Sequence, residues 1–287
     1  MDTYTTLMLT VVPSKIIDEF LSYYPQNIAE SIFQIAVAIA TVGTYLVFLN
    51  QFMADKIGRK TLLAITVFGM GIASFLVSIS GNIIQYAIFL FFLYIFFSSD
   101  IWVIYINEET KPGKRAFWTN FILVGGVIGA LLVPTFRSIF ITETTSNWRG
   151  MTYFAIILAI PLGFLILFTF KETSKYSELK REQTTHKDKQ NLLKRNLKCI
   201  FSTAHKKEFI SILIISFLVG LNYLFVNIGE SYLANNSSLT DSEINIVVYA
   251  ISFSVIFGYL FTGYIADKYG RRILLYFYSL LMPISIL

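Results

Sequence analysis

Seven stretches of this chain are apolar over roughly the length that crosses a bilayer, and short polar or charged connections separate them. They are Ser31–Met53, Thr61–Ser80, Ile83–Ile106, Ala116–Phe136, Met151–Phe170, Phe209–Ile228 and Ile244–Ala266. A spanning helix needs about 20 mostly apolar residues, and in lipid each backbone N–H and C=O must be paired within the chain. The predicted fold class is therefore all-α, a multi-pass membrane helical bundle. Composition agrees: 55% of residues are hydrophobic, only 14% are charged, and the mean hydropathy is +0.63. A soluble domain carries about 25% charge. Met1–Val12 is apolar but short and lacks a basic start and a cleavage site, so it reads as the outer part of a first helix rather than a signal peptide. Ile273–Leu287 reads as the start of a ninth.

The charges are not scattered. Of the 23 Lys and Arg residues, all but Lys15, Arg137 and Arg149 lie in three short loops and in the polar stretch Lys171–Lys207. Alternating connections with that skew obey the positive-inside rule, which places those loops in the cytosol and sends the start of the chain outward. The net charge of +5 is thereby explained by topology, and no nucleic-acid partner is expected. Two of the loops are near copies. Phe52–Leu63 reads FMADKIGRKTLL and Tyr264–Leu275 reads YIADKYGRRILL, each a tight charged turn between apolar runs. A repeat so widely spaced suggests two copies of one large unit.

Both copies resemble the loop between the second and third helices of each half of the major facilitator superfamily, G-x-x-x-D-[RK]-x-G-[RK]-[RK]. The second copy matches throughout, at Gly263, Asp267, Lys268, Gly270, Arg271 and Arg272. The first matches at Asp55, Lys56, Gly58, Arg59 and Lys60, with Gln51 in place of the leading Gly. Asn107–Ala116 is similar to the family's loop after the fourth helix, through Glu109, Pro112, Lys114 and Arg115. Lys171–Leu179 is similar to the P-E-S-P-R-W-L of sugar-porter-like members, through Glu172, Lys175 and Tyr176. The family's antiporter motif is absent, since Pro134 follows Val133 rather than Gly, and this counts against drug efflux.

The resemblance implies twelve helices in two six-helix halves that rock about a central site. On that scheme residues 1–170 form the N-terminal bundle with a partial first helix, 171–207 a cytosolic linker, and 208–287 part of the C-terminal bundle. The chain is then expected to be about two-thirds of a complete member. The charged loops would act as a latch, with Asp55, Arg59 and Lys60 pairing with Glu108 or Glu109 and with Glu172 in the outward-facing state. Asp267, Arg271 and Arg272 would form the second set.

Ionisable groups within a span are functional candidates. Asp100, deep in the fourth helix after Ser98 and Ser99, is the sharpest, as a proton carrier; Asp2 and Glu230 follow. Tyr4 fits the aromatic that follows a polar residue in the family's first helix. Asn222, Tyr223 and Asn227 in the seventh helix are solute candidates, and Gly220-Leu221-Asn222 resembles the G-[IL]-N of hexose porters. Trp102, Tyr105 and Trp118 read rather as interface anchors. Gly125-x-x-x-Gly129 is expected to admit a neighbouring helix closely. Two short amphipathic stretches are predicted: one interfacial, through Ile16, Ile17, Phe20 and Leu21, and one in the linker, through Leu193, Leu197, Ile200 and Phe201.

No cofactor is implied. There is no phosphate-binding loop, zinc-protease motif or nucleophile elbow, and Gly69-x-Gly71 lies inside an apolar run. Cys199 stands alone, and His186 and His205 lack ligand spacing. The expected function is transport of a small polar solute, a sugar or an organic acid, by alternating access, with or without protons. The alternative is a truncated relative without transport of its own. The expected setting is the plasma membrane, the partners are the solute and the lipid bilayer, and a monomer is expected.

Overall fold

The computed structural model describes residues 1–46, 53–97, 101–111, 115–142, 144–185 and 239–269, with short pieces at 206–207, 210–211, 214, 232–235 and 276–277. Among the described residues lie ten helices of six residues or more: α1 Asp2–Leu7, α2 Pro13–Phe20, α3 Gln26–Tyr45, α4 Arg59–Ser78, α5 Ile83–Ile95, α6 Ile101–Glu109, α7 Arg115–Phe140, α8 Gly150–Thr169, α9 Ser174–Thr185 and α10 Asp241–Tyr269. Five of them, α3, α4, α7, α8 and α10, hold segments long and apolar enough to cross a membrane. Twenty residues at 1.5 Å each make about 30 Å, the thickness of the hydrocarbon layer. Ile72, Ile157, Ile160 and Phe164 are exposed, as a lipid-facing surface requires.

The ends of these helices follow local chemistry. Asn82 accepts from the amide of Gln85 at 2.9 Å, and Gln85 accepts in return from the amide of Gly81 at 2.9 Å, so α5 starts at a side-chain cap. Thr240 and Glu243 form a full capping box: Glu243 accepts from the Thr240 amide, and Thr240 Oγ1 accepts from the Glu243 amide. That box starts α10 at Asp241, in a stretch the hydropathy reading assigned to the outer loop. α7 likewise runs on to Phe140, past the expected end at Phe136, and takes Arg137 with it.

Small residues set the closest helix contacts. A Cβ on Gly71 of α4 would overlap Ala159 of α8, and one on Gly163 of α8 would overlap the Phe68 ring of α4. α7 meets α1 through Gly126 and Gly129, where added Cβ atoms would lie 3.0 Å from Thr3 Oγ1 and 3.4 Å from the Tyr4 nitrogen. Gly125 has open space beside it, so the contact uses glycines three apart rather than the pair four apart.

α2 departs from expectation. Ile16, Ile17, Phe20 and Leu21 are buried in the protein, not laid on a lipid surface. Phe20 meets Trp148 edge-on, with ring centroids 5.9 Å apart, and Trp148 meets Tyr86 of α5 at 6.0 Å. The stripe was legible; its partner was another part of the same chain.

Candidate functional site

α4 runs from Arg59 to Ser78 and α8 returns from Gly150 to Thr169, so Arg59 and Glu172 share one end of the bundle while Arg149 lies at the other. Charged clusters occupy both ends.

The first cluster begins at Gly58. Residues 53–57 are helical, the Gly58 amide closes their last turn on Ala54, and the Gly58 carbonyl opens α4 by accepting from Leu62. The hinge requires φ +99°, a left-handed conformation that favours glycine. A Cβ there would also collide with the Glu172 carboxylate. That carboxylate is the N-terminal anchor of α4: its Oε1 accepts from the amides of Arg59 at 2.8 Å and Lys60 at 3.2 Å. An anion on orphan amides at a helix start is favoured by both hydrogen bonding and the helix dipole.

The Arg59 guanidinium is almost fully buried. Nη2 lies 2.8 Å from Asp55 Oδ1 and 3.0 Å from Glu108 Oε1, and Nη1 donates to the Ala54 carbonyl at 3.1 Å. The Tyr176 ring sits 5.4 Å from its central carbon. Glu108 Oε2 accepts from Thr173 Oγ1 at 2.6 Å, and Glu109 Oε1 accepts from the Ser174 amide at 2.7 Å, which anchors the start of α9. The helical turn before α4, the end of α6 and the start of α9 thus meet around one buried cation.

The fold places Asp55, Arg59, Glu108, Glu109 and Glu172 together at one end of the bundle, and one contact differs from the expected pairing. Glu172 holds the backbone of Arg59 and Lys60 rather than their side chains, because the hinge at Gly58 turns those amides towards it. Of the two acids at the end of α6, Glu108 pairs with Arg59 and Glu109 caps α9. Lys56 contributes its carbonyl, which accepts from the Tyr176 hydroxyl at 3.1 Å.

The second cluster was not singled out in the sequence. Arg137 has no exposed side-chain surface; Nε donates to the Val11 carbonyl at 2.7 Å, Nη1 to Asn245 Oδ1 at 2.6 Å, and Nη2 to Asp241 Oδ1 at 3.2 Å. Lys15 reaches Asp241 Oδ2 at 3.2 Å. Nearby, Glu19 accepts from Trp148 Nε1 and pairs with Arg149, whose guanidinium also donates to the carbonyls of Ser78 and Ser80. Partial burial would raise the Glu19 carboxyl, but hydrogen bonds from Arg149 and Trp148 and the Arg149 charge outweigh it and hold the group below its ordinary value. The signal was present in the sequence: Lys15, Arg137 and Arg149 are the three cations on the side where the topology rule depletes them, and each is paired with an acid.

Tyr4, the aromatic expected after a polar residue in the first helix and a substrate or proton candidate, is fully buried, donates to the Met151 carbonyl at 2.7 Å and packs edge-on against Phe136 and Phe154. Its hydroxyl is committed to packing α1 against α8. Asp2 is the first residue of α1, and its carbonyl accepts from Thr6. Arg115 opens α7, and Gly263, Asp267 and Lys268 lie within α10, their side chains outside the described residues. Asp100, Asn222, Tyr223, Asn227, Glu230, Gly270, Arg271 and Arg272 also lie outside them. So do the seventh helix and the predicted linker stripe.

The structure is that of a multi-pass helical membrane protein with charge clusters bracing both ends of its bundle. The sequence model of the Major Facilitator Superfamily matches residues 3–287, and the chain belongs to that family. A proline/betaine transporter of Salmonella typhimurium is 25% identical over 242 residues, covering 77% of this chain and 47% of that protein. The sialic acid transporter NanX of Escherichia coli is 25% identical over 235 residues, covering 77% and 52%. The chain spans about half the length of the curated relatives it matches. Among solved structures, a D-xylose-proton symporter superimposes with a TM-score of 0.66 at 16% identity, covering 93% of this chain and 66% of that one, a likeness of fold. These relatives are transporters, not enzymes.

Proposed function

We propose that the protein moves a small polar solute across the plasma membrane by alternating access, with residues 1–170 and 208–287 in opposing bundles and the linker 171–207 in the cytosol. The observation that carries this reading is the Arg59 cluster. A cation this buried is stable only while its carboxylates stay in place, since separated charges in a dry site cost several kcal/mol (roughly 3–5 on removing one partner). A cluster of that kind at the ends of three segments holds one arrangement firmly and yields to another only when water enters. That is the behaviour of a brace that keeps the cytosolic end of the N-terminal bundle in one arrangement as the bundle moves. The cytosolic side is assigned from the concentration of basic residues at the Arg59 end.

The solute class follows from chemistry shared by the solutes for which these relatives are named, proline or betaine, sialic acid and xylose. All are small, polar and water-soluble; sugars and organic acids remain the leading classes, with Asp100 the proposed proton carrier. The test is uptake of labelled xylose, sialic acid, proline and betaine into vesicles holding the full-length protein, with and without a proton gradient. The reading expects saturable uptake of at least one. No uptake of any, from correctly folded protein, would overturn it. Uptake that a proton gradient does not stimulate, or that is unchanged in Asp100→Asn, would remove the coupling role and leave a facilitative carrier.

A further inference from the structure

α9 forms one wall of an open cleft at the Arg59 end of the bundle. The cleft has a volume of about 340 Å³ and is lined by Glu172, Tyr176, Ser177, Lys180 and Arg181. Tyr176 and Lys180 lie one helical turn apart, as do Ser177 and Arg181, so the four share one face of α9. Two span ends fix the depth of the cleft. α8 closes at Thr169, just before Glu172, and α4 opens at Arg59, whose amide donates to the Glu172 carboxylate. Glu172 therefore stands at the boundary of two apolar spans, and the cleft with it. The aromatic residues agree. Phe168 and Phe170 are exposed, and Tyr105 packs edge-on against Phe170 at 5.7 Å while donating to the Lys171 carbonyl. Such rings gather where hydrocarbon gives way to headgroups.

We propose that this cleft binds the phosphate of an acidic phospholipid, with Lys180 and Arg181 as its donors and counter-charges. The Tyr176 and Ser177 hydroxyls already donate, to the Lys56 and Thr173 carbonyls, so the two cations supply the N–H bonds. An ammonium and a guanidinium carry enough donors for a phosphate to share them with other contacts. The one acid on the wall does not cancel them. Glu172 Oε1 accepts from the amides of Arg59 and Lys60, and its charge is met there by the dipole of α4. The cleft thus carries net positive charge at the depth where anionic headgroups lie, and each basic residue near that surface adds to the attraction. A free anion offers the same phosphate. Phe168, exposed on the last turn of α8, favours the lipid, because it presents apolar surface to the acyl chains that only a lipid brings. The occupied cleft also touches the brace, since the Tyr176 ring on its wall lies 5.4 Å from the Arg59 guanidinium carbon. The inference needs the Arg59 end to lie at a membrane surface; it does not need the protein to transport.

The test counts ligands bound to the full-length, delipidated protein in detergent by native mass spectrometry. The probes are dihexanoyl phosphatidylglycerol, dihexanoyl phosphatidylcholine and inorganic phosphate. Phosphatidylglycerol is expected to bind at least about tenfold more tightly than either of the others. The double variant Lys180→Gln/Arg181→Gln is expected to lose that preference. Lys206→Gln/Lys207→Gln, which removes the same charge from exposed lysines elsewhere, is expected to keep it. Phosphatidylcholine binding as tightly as phosphatidylglycerol overturns the proposal. So does a preference that survives in Lys180→Gln/Arg181→Gln, or one that both double variants lose to the same extent. Inorganic phosphate binding as tightly as phosphatidylglycerol also overturns it and leaves a soluble-anion site. Should Lys180→Gln/Arg181→Gln fail to fold, Ser177→Glu decides, because it sets a negative charge at an exposed position on the same wall. An undiminished preference in that variant overturns the proposal too. Binding needs no solute, so the two readings separate. Lipid preference without uptake of any solute keeps the site and removes the transport reading. Uptake without lipid preference does the reverse.

Discussion

Arg59 shows how much one side chain can be asked to do. Its fork reaches Asp55, Glu108 and the Ala54 carbonyl from a single buried position. A lysine, as a point charge on a flexible stem, cannot make those contacts together. Arg59→Lys is expected to lose about 1–2 kcal/mol of stability and Arg59→Ala about 3–5, since Glu108 would be left with little solvent and no cation. Thermal unfolding in detergent checks the order; equal midpoints for the two variants would contradict it. Gly58 is constrained twice, by its left-handed backbone and by the carboxylate beside it. Gly58→Ala should cost about 1–3 kcal/mol and should also weaken the Glu172 cap. Uptake is expected to fall with it, and a fully active, fully stable Gly58→Ala protein would count against the hinge.

At the scale of elements, hydropathy located the spans and local chemistry located their ends. The Thr240–Glu243 box extends α10 beyond its apolar run, and in doing so brings Asp241 and Asn245 onto the helix face that meets Arg137. Thr240→Ala is expected to cost about 1 kcal/mol, the usual loss for a cap. Hydrogen exchange should then quicken in the first turn of α10 before any other part of that helix; uniform exchange along α10 would argue against the cap. The contact between α4 and α8 has a different origin, since Gly71 and Gly163 let each helix take the side chains of the other. Gly71→Leu should force them apart at about 1–3 kcal/mol, the cost of overpacking. The glycine spacing was visible in the sequence. Which glycine of Gly125, Gly126 and Gly129 would face α1 depended on the rotation of α7, which packing sets.

At the scale of the whole molecule, acid bears on the Arg149 end of the bundle through Glu19. Glu19 is held below its ordinary value, so its contribution to stability is present above the unfolded value of 4.5 and is lost as pH falls through the lower folded value. Wild type should therefore lose stability in acid faster than Glu19→Gln, and parallel pH profiles of the two would contradict the pairing with Arg149. The sequence by itself determined that the chain is helical, that it lives in a membrane and that one end of it is basic. Each follows from quantities that need no neighbours: apolar length, backbone hydrogen bonding in lipid and the distribution of charge. It also marked the Arg59 loop, because a repeated pattern with a required glycine is local. Only the tertiary structure decided which charges meet. Arg137, Lys15 and Asp241 lie far apart in the chain and carry no shared motif, and an ion pair leaves no trace in hydropathy. Burial is a property of an arrangement, so a lone arginine read as a loop residue became the most enclosed cation in the described fold once α10 was placed against it.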